Sequence, residues 1–471
     1  MNKRIDTYIA EVLGAVRCKK VHREIREELT NHIDELVENY MSQGFSKEEA
    51  IRRSLLSMGD AREVGQKLNH QHKPQIEWSI LTLMGLICCF GLVMIHFCQT
   101  MTRNAVSFER YLYDLAIGAL LLLGAYHFDY NRLKKYPLYF YGGSIFLMIC
   151  CMIFGVSVNG VRRYLMLPGF TISVQAVSGF LFLLSFCGFL EKYRNKGLLG
   201  IGKLLGWGGL SLLILLLQPS AATAILLSVC YGVVLLFAIF RKHFGENYKK
   251  QATVVLSLGG SMIALGSFFL LWNQPYRLQK VLLFLDHGAS DPQGGGWLYQ
   301  MIQQVLEASR WLGRGDTLAN GYSIDWVLPD IAMDYAFLNI IYSFGWIFGV
   351  LLMVLVVGLL LRMFSTISKV KNPFGKLLSL ICCVMLGIQF ILSILMNLGL
   401  CPLIEVSMPF VSYGGTQCLI NMLYVGIVLS VWRTNNLESS SDYSAPRDTQ
   451  KKKRITFSDY KLVIDFTPKG E

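Results

Sequence analysis

The sequence predicts an all-α polytopic membrane protein with a small helical domain ahead of its spans, and three observations carry that reading. Only 16% of the 471 residues are charged while 53% are hydrophobic, against roughly 25% charge in soluble domains. The charge that exists gathers in residues 1–76 and 434–471, leaving the interval between them poorer still. That interval divides into about ten apolar runs, each long enough to cross ~30 Å of hydrocarbon. The same composition excludes collagenous, disordered, coiled-coil and disulfide-framework classes.

The runs fall near residues 78–98, 111–128, 137–158, 170–190, 199–217, 221–240, 252–273, 335–361, 377–398 and 411–432. Only Gln218-Pro219-Ser220 separates the fifth from the sixth, so these two should form a tight hairpin. Alternate connections hold Arg132, Lys134 and Lys135; Lys192, Arg194 and Lys196; Arg241, Lys242, Lys249 and Lys250; and Lys369, Lys371 and Lys376. Cations mark the cytoplasmic side, so both termini should be cytoplasmic and the long connection at 274–334 should face outward. The formal charge of +12 follows this topology, which argues against a nucleic-acid partner. The cysteine pairs Cys88-Cys89, Cys150-Cys151 and Cys382-Cys383 lie inside apolar runs. They read as small buried hydrophobes, not as disulfides or metal ligands. The charged, amphipathic start is no cleavable signal peptide, so the first apolar span should act as an uncleaved targeting signal.

Residues 1–76 read as a separate cytoplasmic helical domain. Ile5, Ile9, Val12 and Val16 keep helical spacing, as do Ile25, Leu29, Ile33, Leu36 and Tyr40. Gly44 should end the second helix, and Ser46 with Glu49 looks like a capping box opening a third. A docking or stability module is the expected role, similar to the prefix domains that precede some bacterial permeases. The membrane domain then covers 77–433 and a cytoplasmic tail 434–471. In that tail, Glu438-Ser439-Ser440-Ser441-Asp442 has linker composition and residues 454–466 alternate as a short strand or hairpin does.

Polar residues beside apolar runs are costly and mark candidate sites. Asn159-Gly160-Val161-Arg162-Arg163-Tyr164 puts two arginines on the side that should be poor in cations. Arginine forks suit phosphates, so an anionic lipid head group is one ligand; an interfacial anchor is the other reading. The connection at 274–334 opens Tyr276-Arg277-Leu278-Gln279-Lys280 and closes Leu328-Pro329-Asp330-Ile331-Ala332-Met333-Asp334. Partial burial at the mouth of a span would raise the pKa of Asp334 and suit it to accept a proton. A plain helix-terminal carboxylate is the alternative. The third cluster runs from Asn397 through Pro402 and on to Pro409-Phe410-Val411-Ser412-Tyr413-Gly414-Gly415. Its proline and paired glycines suggest a broken or re-entrant helix lining a cavity, or a small-residue packing motif.

Taken in order, these clusters resemble the SEDS family (shape, elongation, division and sporulation proteins of the RodA/FtsW type) over residues 78–433. The most specific pieces are Pro409-Phe410-Val411-Ser412-Tyr413-Gly414-Gly415 and the Leu328-Pro329-Asp330…Asp334-Tyr335-Ala336-Phe337 run. The resemblance implies a peptidoglycan glycosyltransferase that polymerises lipid II beside a class B penicillin-binding transpeptidase, in the bacterial cytoplasmic membrane. It implies Asp334 as the essential aspartate. Arg163, with Arg162, Arg277 or Lys280, would hold the departing undecaprenyl diphosphate, and Asp330, Asn397, Pro409, Ser412, Tyr413, Gly414 and Gly415 would line the substrate cavity. A divalent cation is the one cofactor it leaves open.

Several positions depart from the family pattern. Its Gln-Pro-Ser-Glu is here Gln175-Ala176-Val177-Ser178, and its Glu-Pro-Asp is Gln218-Pro219-Ser220. The expected Glu-Glu pair is Tyr342-Ser343, and a usual glycine in the last motif is Glu405. These losses keep a non-catalytic scaffold among the readings, beside a lipid-precursor flippase.

Overall fold

The structure is a computed structural model. It describes residues 3–16, 22–71, 76–101, 107–158, 161–167, 170–218 and 220–273, then 279, 282–286, 289, 291, 294–318, 324, 328 and 330–435, and last 454–458 and 461–465. The chain forms two compact units, residues 1–73 with 436–471, and residues 74–435.

The first unit contains α1 (Lys3–Ala15), α2 (His22–Ser42), α3 (Lys47–Met58) and α4 (Ala61–Gln71). Ile5, Ile9 and Val12 of α1, Ile25, Leu29 and Ile33 of α2, and Ile51 and Met58 of α3 share one buried core. Gly44, with φ +93°, follows α2 in a conformation that favours glycine. Ser46 accepts the Glu49 N–H at 3.4 Å, while the Glu49 carboxylate turns to Arg53. The fourth helix is additional to those the spacing announces. It opens on Asp60, whose carboxylate accepts the N–H groups of Arg62 and Glu63 at 2.9 and 3.1 Å. Two antiparallel strands, Arg454–Ser458 and Lys461–Asp465, form the hairpin expected in the tail.

The second unit runs α5 (Trp78–Met101), α6 (Phe108–His127), α7 (Pro137–Phe154), β1 (Val156–Val158), β2 (Val161–Leu167), β3 (Phe170–Ser173), α8 (Val174–Lys192), α9 (Gly197–Leu217), α10 (Ala221–Phe240) and α11 (Tyr248–Asn273). It continues with α12 (Trp297–Ala308), α13 (Ala336–Phe344), α14 (Trp346–Ser368), α15 (Pro373–Asn397) and α16 (Gly415–Thr434). Among the described residues, eight helices are long and apolar enough to cross a membrane. The other two expected spans are also long helices. Of these, α6 carries Glu109, Arg110 and Asp114 near its start.

Three boundaries differ from the sequence reading. The third span stops at Phe154 and the fourth starts at Val174, because Val156–Val158, Val161–Leu167 and Phe170–Ser173 build a three-stranded antiparallel sheet. Short β-branched stretches such as Val156-Ser157-Val158 favour strands, yet inside a long apolar run they are indistinguishable from helix. The last span begins at Gly415, and 401–414 is irregular. The eighth span is broken at Gly345 into α13 and α14.

The break is held by the connection before it. Gly313 and Gly315 donate their N–H groups to the carbonyls of Phe344 and Tyr342 at 3.0 and 2.7 Å. Trp346 and Ile347 donate to Arg310 and Trp311 at 3.0 and 3.2 Å. Backbone groups freed from the helix thus find protein partners, the condition for irregular backbone at membrane depth. Gly345 sits at φ +104°, ψ 165°, and a Cβ there would lie 2.6 Å from the Trp311 carbonyl. Gly345→Ala is therefore expected to cost about 2–4 kcal/mol, read as a lower melting temperature in detergent. An unchanged melt would show that the break tolerates a side chain.

Inside the bundle, α8, α15 and α16 are the most enclosed helices, while α7 and α14 leave broad apolar faces for lipid. Tyr141, Phe189 and Trp207 join α7, α8 and α9, with ring centroids of Phe189 and Trp207 4.9 Å apart. Glu77 beside α5 meets the Arg362 guanidinium of α14 with both oxygens at 3.1 Å. A satellite core of Ile302, Val305, Ile331, Leu338 and Met396 seats α12 and the end of the long connection on α13 and α15.

Candidate active site

Three irregular segments converge: the β1–β2 hairpin, the turn before α13, and the loop between α15 and α16. In the hairpin, Val156 pairs with Tyr164 and Ser157 with Arg162. Two residues of β1 thus oppose three of β2, and Arg163 is the extra residue of a β-bulge. Bulges re-aim side chains, and here the two arginines part. Arg162 donates to the carbonyls of Met152 and Ile153 in the last turn of α7, which caps that helix. Arg163 instead forms an ion pair with Glu405 from the α15–α16 loop.

Asp334 ends a turn in which Met333 and Asp334 donate their N–H groups to the Asp330 carbonyl at 2.8 and 3.1 Å. Asp330 is exposed and adopts φ +55°, an uncommon conformation for a non-glycine residue. The Asp334 side chain is half-buried. Burial pushes its pKa up to about 7, the Asp330 and Glu405 carboxylates push the same way, and Arg163 pulls it back. Tyr164 senses the same four charges, and burial raises its phenol above the ordinary value. Arg163, Tyr164, Asp330, Asp334 and Glu405 therefore share one electrostatic neighbourhood.

The remaining expected residues fall into three groups. Asn397 is fully buried. Its Oδ1 accepts the Leu338 N–H at 2.9 Å, and its Nδ2 donates to the carbonyls of Asp334 and Ser393 at 2.9 and 2.8 Å. Its polar atoms thus tie the turn that carries Asp334 to α13 and α15. The buried Ser412 hydroxyl likewise accepts the Met408 N–H at 2.7 Å within the loop.

Pro409, Tyr413, Gly414 and Gly415 shape the loop. The Tyr413 N–H donates to the Ala332 carbonyl at 2.8 Å, tying the loop to the Asp334 turn. Phe410 is held at φ +64°, its carbonyl receiving the Tyr111 hydroxyl at 2.6 Å. A Cβ at Gly415 would lie 3.0 Å from the Asp114 carboxylate, which sits against the N-terminus of α16. Arg277 and Lys280 lie outside the described residues, as do Asn159, Gly160 and Pro329.

Sequence reasoning missed two anchors. Thr416 accepts the Ser173 N–H at 3.0 Å and donates to the Thr171 carbonyl at 3.2 Å, joining the sheet to α16. The Tyr299 hydroxyl of α12 receives the Leu403 N–H at 3.1 Å. Nothing in the local pattern marks either, since each acts across more than 100 residues of chain. Among the described residues no three His, Cys, Asp or Glu side chains converge as metal ligands do. Glu405 is paired with Arg163 in this structure.

A multi-pass helical membrane protein, with a carboxylate–guanidinium site where irregular loops meet the ends of its spans, is the class that this fold and site define. A family model described as "Cell cycle protein" (FTSW_RODA_SPOVE) matches residues 71–437, and the chain belongs to that family. The protein named "Probable peptidoglycan glycosyltransferase FtsW" of Coxiella burnetii is 26% identical over 386 residues, covering 78% of this chain and 100% of that one. Its namesake of Geobacter sp. (strain M18) is 24% identical over 364 residues, covering 75% and 95%. Among solved structures, a chain from "Structural coordination of polymerization and crosslinking by a peptidoglycan synthase complex" superposes with TM-score 0.62 at 23% identity, covering 76% of this chain and 98% of that one. Thermus thermophilus Rod shape determining protein RodA gives 0.53 at 18% identity, covering 76% and 97%.

Proposed function

We propose that this protein is a peptidoglycan glycosyltransferase that polymerises lipid II at the outer face of the cytoplasmic membrane, with both termini in the cytoplasm. The single observation that carries the proposal is Asp334, a half-buried carboxylate with a pKa near 7 in reach of one arginine. A general base works best when its pKa lies close to the working pH. Asp334 takes the proton from the acceptor sugar's 4-hydroxyl as that oxygen bonds to the donor's anomeric carbon. The bond from that carbon to the diphosphate oxygen breaks, and undecaprenyl diphosphate leaves. Arg163 holds the diphosphate, because a guanidinium fork stabilises the charge that develops on the leaving oxygen. The names of the relatives support the reaction class. The solved peptidoglycan synthase complex, described as coordinating polymerization and crosslinking, supports a crosslinking transpeptidase as partner, and the family resemblance implies the class B penicillin-binding type. The scaffold reading rests on the acids that the family resemblance leads one to expect where this chain has Ser178, Gln218, Ser220, Tyr342 and Ser343.

Incubation of the purified protein with lipid II, with and without the candidate transpeptidase, tests the proposal. Glycan chains are the expected product, and none under any condition would leave the scaffold reading. The pH dependence is a sharper check. Only ionised Asp334 can accept a proton, so kcat/KM should rise with pH through an acidic limb near 7. Arg163→Ala removes the charge that pulls this pKa down and should move the limb to higher pH. A limb that ignores the Arg163 substitution would detach Asp334 from the titration.

A further inference from the structure

We infer that Glu405 sets the donor affinity of this site by competing with the donor's diphosphate for Arg163. The inference rests on the glycosyltransferase reading for the identity of the donor, but not for the competition itself. Arg163 is the one arginine of the hairpin aimed at the Asp334 neighbourhood, since Arg162 is engaged by the end of α7. Its guanidinium is met by a carboxylate of this chain, that of Glu405 in the loop between α15 and α16. Glutamate there supplies the guanidinium with an internal anion, the same kind of partner that an incoming phosphate offers.

The Glu405 side chain is 64% exposed and the Arg163 side chain 25%. The loop around Glu405, residues 401–408, has no regular backbone pattern, so the carboxylate can leave Arg163 without dismantling a helix. A ligand that binds only the open form has its affinity reduced by the fraction of molecules that are open. Asp330 and Asp334 add negative charge nearby, so Arg163 is the one cation among the charges that act on Tyr164. Donor capture thus requires exchange of one anion for another, and a donor with more phosphate charge makes that exchange better than a neutral lipid.

The test uses full-length protein carrying Asp334→Asn, so that binding is read without turnover. Undecaprenyl diphosphate and undecaprenol are titrated in detergent against that protein and against its Glu405→Gln, Arg163→Ala and doubly substituted derivatives. Partly exposed ion pairs contribute up to about 1 kcal/mol, which converts to about fivefold. Glu405→Gln should therefore bind undecaprenyl diphosphate about fivefold tighter, with undecaprenol unaffected. The gain should vanish in the Arg163→Ala background. Equal or weaker binding by Glu405→Gln would overturn the inference, because Glu405 would then support Arg163 rather than compete for it. A gain that survives without Arg163 would overturn it too, as a bulk charge effect. Melting temperatures of all four proteins separate binding losses from misfolding. Tighter diphosphate binding by Glu405→Gln, together with no glycan from the protein that retains Asp334, would keep this inference and remove the glycosyltransferase reading.

Discussion

Asp334→Asn is expected to lower lipid II polymerisation by about 10²–10⁴-fold, the usual contribution of a positioned general base. The amide keeps the size and the hydrogen-bonding edge of the carboxyl but accepts no proton. Folding should survive, and the physics gives a direction for it. Burial and two neighbouring carboxylates raise the pKa of Asp334 in the folded protein from 3.8 to about 7. A carboxyl raised on folding favours the folded state while it is protonated, and that contribution is lost as pH rises through about 7. The loss begins near 3.8, where the unfolded chain ionises, so the asparagine variant should melt higher than the parent at pH 8, by a smaller margin at pH 5, and match it only below about 3.8. Loss of polymer with this melting pattern identifies a functional group held at a cost to stability. Unchanged turnover would remove the base assignment, whatever the melts show.

The second large effect is expected at Asn397, which touches no substrate in the mechanism proposed here. Alanine there strips a hydrogen-bond donor from the Asp334 carbonyl and an acceptor from the Leu338 N–H, both at 2.9 Å and the latter fully buried. Each buried group left unsatisfied costs about 1–3 kcal/mol, so Asn397→Ala should lower the melting temperature clearly. A misplacement on the ångström scale at the reacting group can cost on the order of 10²-fold in rate. The loss should appear in kcat more than in KM, and the acidic limb should shift because the depth of the Asp334 side chain changes. A variant that melts lower but keeps kcat and the limb would confine Asn397 to stability.

Much of this architecture was legible from residue order. The apolar runs placed ten helices, because hydrocarbon thickness fixes span length and every backbone group must bond within its own helix. The paired motifs at 328–337 and 409–415 pointed to segments that the Tyr413–Ala332 hydrogen bond does bring together. What stayed hidden is equally physical. The sheet at 156–173 lies between two helices in an apolar stretch, where length and composition cannot separate strand from helix. The break at Gly345 resembles an ordinary helix glycine until the partners at 310–315 appear from an earlier part of the chain. The division of labour between Arg162 and Arg163 depends on strand register, which the identical residues cannot express. Asn397 and Ser412 read as polar candidates for a ligand, and only their burial among backbone groups shows what satisfies them.

That register has a consequence for how such chains are compared. Three residues of β2 face two of β1, so the orientation of each arginine is set by whether the count of residues is odd or even. Deleting one residue from the strand would even the ladder and still leave an arginine in it. That survivor would inherit one orientation only: the helix end would lose its cap, or the carboxylates would lose their counter-charge. Two neighbouring side chains of one kind hold separate posts by parity, and a comparison that scores residue types alone sees a single basic patch.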